Sequence, residues 1–90
     1  MSLSQADRDA LIDAAVNKTR DEFAGEVAQR TTLTQAEVFA LARTAAEREA
    51  LAKVLAEVTN ATASNTSKAG AVRNIAGGVE ALVRIAGLVL

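Results

Sequence analysis

The chain has no cysteine, histidine, proline, tryptophan or tyrosine, and its two aromatic side chains are Phe23 and Phe39. Without cysteine there is no disulfide and no thiolate metal site, and without histidine the usual nitrogen ligand of zinc is missing. The same absences remove the commonest general base and the thiol nucleophile, which leaves carboxylates and hydroxyls to carry any catalysis. Asp9 and Asp13, four residues apart, come nearest to a carboxylate metal site, but charged helix faces are ordinarily just solvated. The expectation is a protein that is not an enzyme and holds no metal or cofactor.

Large apolar residues are also in short supply. Half of the 90 residues are apolar, yet 21 are alanine against 24 larger side chains. Alanine is the best helix former but contributes little buried area, and a chain of this length buries only about 60 to 65% of its unfolded surface. The composition therefore predicts an all-α fold with a lean core, completed by association with further copies or with a protein partner.

Charge of one sign is lacking as well. The net charge is −1, with no cluster of Lys and Arg of the kind that releases counterions from nucleic acid. A DNA-reading helix in the last third would have only Lys68, Arg73 and Asn74 to offer, and no aromatic residues interleave for stacking on single strands. Nucleic-acid binding is not expected. Residues 1–30 carry four basic and six acidic side chains, and residues 61–90 three basic and one acidic. Unlike-charged ends favour head-to-tail contact, although a solvated surface with ordinary fluctuation accounts for the same counts. The polar, acidic start shows no signal-peptide pattern, which makes a cytoplasmic location the expectation. Residues 69–90 are the most apolar stretch, but Arg73, Glu80 and Arg84 interrupt it and argue against a transmembrane span.

What the chain does have is helix-start chemistry. Leu3-Ser4-Gln5-Ala6-Asp7 and Leu33-Thr34-Gln35-Ala36-Glu37 each place a hydroxyl three residues before an acid, the pattern of a reciprocal capping box. The second adds Leu33 and Val38 at the positions of a hydrophobic staple. The 30-residue offset also matches Ala10 with Ala40, Leu11 with Leu41 and Ala15 with Ala45, a hint of duplication that convergent capping explains equally well.

The spacing predicts a first helix over 5–30, with Ile12, Val16, Phe23 and Val27 on one stripe and Gly25 inside it. A second is predicted over 35–58, with Val38, Leu41, Ala45, Ala52 and Leu55 on one side and Leu51, Val54 and Val58 beside them. Residues 59–68 are polar and rich in side chains that bond to local backbone, so they read as a linker. Ser64, Asn65 or Ser67 could cap a third helix over 66–87, where Val72, Ile75, Val79, Leu82, Ala86 and Val89 follow a 3-4-3-4-3 seam. Heptad spacing also runs on from Leu51 through Thr62 and Asn65 to Leu90, so one helix from 35 to 90, about 84 Å long, is a second reading. The fold expected is an antiparallel three-helix bundle, or a helical hairpin with a long second helix, in a single domain over 1–90.

Gly70, Gly77, Gly78 and Gly87 do not form a phosphate loop, since no strand precedes them and no Gly-Lys-Ser/Thr follows. With Ala76, Ala81 and Ala86 they suit close helix crossing or a local kink. The apolar run Ile85-Ala86-Gly87-Leu88-Val89-Leu90 needs a cover: the chain's own helices, a second copy, or a membrane surface. Few cations and no aromatic anchor stand beside it, which disfavours the membrane. The expected work is structural, self-association as a homo-oligomer through Val72, Ile75, Val79, Leu82, Val83, Ile85, Val89 and Leu90. Leu51, Leu55 and Val58 of the second helix stand behind them. The alternative is an adaptor or regulator whose C-terminal helix docks on a partner protein or, less favoured, on a membrane surface.

Overall fold

A computed structural model describes residues 3–60 and 63–89, with side chains to Gly87, and all the regular structure among them is helical. There are six helices among the described residues: α1 (Gln5–Asn17), α2 (Arg20–Arg30), α3 (Gln35–Leu41), α4 (Ala45–Val58), α5 (Asn65–Asn74) and α6 (Gly78–Val89). This corrects the expectation of three helices of about 25 residues, because each of them is broken in two. The single helix from 35 to 90 is also absent, and the longest extent of the molecule is 33 Å.

The first two breaks have the same cause. Lys18 and Thr19 are extended, and the Thr19 side chain accepts from the Glu22 N–H while the Glu22 carboxylate accepts from the Thr19 N–H. Ala42 and Thr44 are likewise extended, and Thr44 and Glu47 form the same reciprocal pair. A complete capping box supplies acceptors for the first-turn N–H groups that lose their i−4 carbonyls when the helix is interrupted, which lowers the cost of a break, and threonine is a poor interior residue. With Ser4–Asp7 and Thr34–Glu37, four capping boxes start the first four helices. Ser64 caps α5 by accepting from the Ser67 N–H.

The third break falls at Ile75 to Gly77. Gly77 has φ 72°, a left-handed conformation open to glycine at little cost. At Gly78 an added Cβ would run into the Val72 carbonyl oxygen and lie 2.9 Å from Ile75 Cβ. Gly77 and Gly78 thus turn the chain sharply between α5 and α6, and the predicted seam from Val72 to Val89 does not form one continuous face.

Packing follows from α4, which is apolar on two sides. Leu51, Ala52 and Leu55 join Leu11, Phe23, Val27, Val38 and Leu41 in a large cluster beneath α1, α2 and α3. Ala50 and Val54 face the other way, into a smaller cluster with Val72 and Ala81, against which Val58, Ile75 and Ile85 also pack. Leu33 and Val38 are both buried in the large cluster, as a staple requires. On the outside of the α2–α3 pair the Arg20 guanidinium lies 4.6 Å from the Phe39 ring centroid, within cation–π range.

Candidate interaction surface

Among the described residues the large apolar side chains left exposed are Val16, Val79, Leu82 and Val83, and three of these four belong to α6. The helix is apolar on two faces. Gly78 and Ala81 are buried and Ile85 is half-buried, and they meet α4 and α5. At 100° per residue Leu82, Val79 and Val83 follow one another away from that buried side, Val83 lying opposite it. Their exposures rise in that order of distance from the core, 37% for Leu82, 48% for Val79 and 66% for Val83.

Two clefts flank this face. One, of about 310 Å³, is lined by Val58, Asn65, Lys68, Ala69, Val72 and Leu82, and so lies between α4, α5 and α6. Lys68 rims it and donates from Nζ to the Val58 carbonyl oxygen at 3.3 Å, which joins α5 to the end of α4. The other, of about 240 Å³, runs between Leu33, Leu55, Val58 and Ile85, with Thr31, Thr32 and Thr59 at its edges. The Thr59 hydroxyl donates to the Leu55 carbonyl at 2.5 Å, which closes the last turn of α4 beside it.

Arg84 adds a polar tie to the packing of Ala81 and Ile85 that seats α6. Arg84 Nη1 donates to the Leu41 carbonyl oxygen at 3.3 Å and to Glu47 Oε2 at 2.5 Å. It thereby meets an unpaired carbonyl in the last turn of α3 and the capping carboxylate of α4, two places where the helix dipoles favour a cation and an anion respectively. The Arg84 hydrogen bond, followed by those from the Thr44 backbone and hydroxyl, holds the Glu47 carboxyl below the usual carboxylate range. Asp7 is treated alike at the other end of the molecule. Its carboxyl is lowered chiefly by Ser4, through side chain and backbone, and further by Arg30, which stands 3.3 Å away and also pairs with Glu26.

Nine of the eleven residues expected at an interface divide into three groups. Leu51, Leu55 and Val72 are buried in the chain's own core. Val58, Ile75 and Ile85 are half-buried, packed against the core with part of their surface open. Val79, Leu82 and Val83 are exposed together on α6. Val89 ends α6 with a side chain outside those described, and Leu90 lies outside the described residues. Sequence spacing pointed neither to Lys68 as the rim of a cleft nor to Arg84 as the anchor. Both signals are tertiary, since each arginine or lysine contact joins residues on different helices.

The two acids singled out on α1 pair within their own helix. Asp9 accepts from the Gln5 amide at 2.9 Å and Asp13 from the Asn17 amide at 2.8 Å, both within α1. Among the described residues no group of three acidic side chains is arranged to hold a metal ion, and no helix is long and apolar enough to cross a membrane. Compared with known protein families, curated proteins and solved structures, the chain matches none.

Proposed function

We propose that this protein is a non-catalytic helical assembly module that self-associates through the outward face of α6. The observation that carries this reading is the grouping of Val79, Leu82 and Val83, exposed on one side of a helix that Arg84 ties to the Leu41 carbonyl and to Glu47. Apolar side chains scattered singly over a surface need no explanation, but three neighbours on one anchored helix, beside an apolar cleft, gain from being covered. The surrounding surface is polar. The exposed side of α5 carries Asn65, Thr66, Ser67, Arg73 and Asn74, and Glu80 lies on the far edge of α6. An apolar centre within a polar rim is the ordinary anatomy of a protein interface.

The test is the absolute molar mass of the pure protein across a hundredfold range of concentration, with helicity recorded on the same samples. Self-association predicts a mass that rises from 9.3 kDa toward a multiple of it at constant helicity. A folded species that stays at 9.3 kDa throughout would overturn the reading.

A further inference from the structure

We infer that α5 and α6 form a detachable strap: the two helices leave α4 together, in one cooperative opening, while α1 to α4 stay folded. The two apolar clusters are unequal. The larger has fourteen buried side chains among the described residues, Leu11, Phe23 and Leu51 with them, and all fourteen lie between Leu3 and Leu55. The smaller buries Ala50 and Val54 of α4 against Val72 of α5 and Ala81 of α6. Apolar stabilisation scales with the area removed from water. Two valines and two alanines, with the half-buried Val58, Ile75 and Ile85 around them, therefore hold the strap far less firmly than the larger cluster holds the first four helices.

The seam between α4 and the strap is also incompletely filled. The cleft of about 310 Å³ at Val58, Val72 and Leu82 lies along it, and a second hollow of about 130 Å³ lies between Ala46 and Ala50 of α4 and Ile75 and Ala76 of the turn. Closely packed interiors leave few such gaps. The polar ties across the seam are exposed to water. Lys68 reaches the Val58 carbonyl oxygen at 3.3 Å, and Arg84 reaches the Leu41 carbonyl oxygen and Glu47 from a side chain that is about half exposed. Solvent-accessible pairs of this kind contribute little. The two helices depart as a unit because they share one cluster through Val72 and Ala81, and because Gly78 sits too close to the Val72 carbonyl oxygen to admit a Cβ. Opening uncovers Ala50 and Val54, so the second apolar side of α4 is hidden in the closed chain and presented in the open one.

Native-state hydrogen exchange on dilute samples of the full chain reads this opening directly. In the parent, the hydrogen-bonded amides of α5 and α6 are expected to share one protection factor, about a hundredfold below that of α1 and α4. Two core variants then separate a partial opening from global unfolding. Phe23→Leu weakens the larger cluster in the closed and open forms alike, so it is expected to lower protection in α1 and α4 about tenfold and to leave α5 and α6 unchanged. Val72→Ala weakens the closed form alone, so it is expected to lower protection in α1, α4, α5 and α6 by one common factor. Equal protection of all four helices in the parent, exchange of α6 independently of α5, or an equal loss in α5 and α6 on Phe23→Leu would overturn the inference. None of these readouts depends on oligomeric mass, so the inference stands or falls apart from the assembly reading.

Discussion

Adding one methyl group separates the glycines of the C-terminal third. At Gly78 the new Cβ would collide with the backbone of Val72 and crowd Ile75, and neither can move without opening the α5–α6 turn. At Gly87 the same Cβ meets nothing within 4 Å, and the backbone there is already helical. Gly78→Ala should therefore lower the unfolding free energy by more than about 2 kcal/mol, while Gly87→Ala should leave it unchanged or raise it by up to about 1 kcal/mol. Urea unfolding of the two variants beside the parent checks the contrast. From sequence, the pair Gly77-Gly78 could be read as a kink or as a close crossing, because both uses require a small residue. Only the positive φ of Gly77 and the closeness of Val72 to Gly78 show that the pair makes a full turn. Gly25 shows the converse. It costs the helix about as much as any interior glycine, yet a Cβ there would make only an ordinary contact with Gln35 at 3.9 Å, so no close packing requires it.

At the scale of the element, the helix starts were half legible. Ser4-x-x-Asp7 and Thr34-x-x-Glu37 stand just before apolar periodicity and are easily seen as starts. Thr19-x-x-Glu22 and Thr44-x-x-Glu47 carry the same chemistry inside patterns that already read as helix, where periodicity conceals a new beginning. A scan for Ser or Thr followed three residues later by an acid finds all four boxes. The cap of α5 at Ser64 was among three candidates, and local bonding by Ser, Asn and Thr leaves such a choice open until the turn is seen. What no local pattern could supply is the fastening of α6, since Arg84 and Glu47 are 37 residues apart. That contact makes a pH prediction. Glu47 is held below the ordinary glutamate value of about 4.3, so the stability it contributes is fully present above that value and is lost as the pH falls through the lower value of the folded state. Asp7 acts in the same direction. The urea midpoint of the parent should fall as the pH is lowered from 6 to 3. Glu47→Gln should start lower at pH 6, where the charged pair with Arg84 is lost, and then fall less steeply over the same range. A parallel pair of curves would show that the Glu47 carboxylate does not couple to folding.

For the whole molecule, the alanine-rich composition gave the correct class, an all-helical fold, but the wrong division of labour among its large side chains. Leu51 and Leu55 were placed behind an interface and Val72 within it, where the spacing carries on to Val79 and Leu82. In the folded chain the turn at Gly77 takes α6 out of that line, so the first three fill the core and the last two remain outside. Periodicity shows which residues share a helix face, and only as far as the helix runs unbroken. Two small cores on opposite sides of α4 result, with the Val79–Leu82–Val83 face beyond the second. Both clusters are built from residues of one chain, and the proposal gives the exposed face a separate task. Val83→Asp tests that separation most directly, because the side chain is two-thirds exposed and belongs to the open face of α6 rather than to the core. Measured by sedimentation beside the parent, with helicity and urea midpoint taken on dilute samples, the variant is expected to remain at 9.3 kDa at concentrations where the parent associates, with its helicity unchanged and its stability within about 1 kcal/mol. A variant that associates as the parent does, or that loses its helicity, would contradict the account.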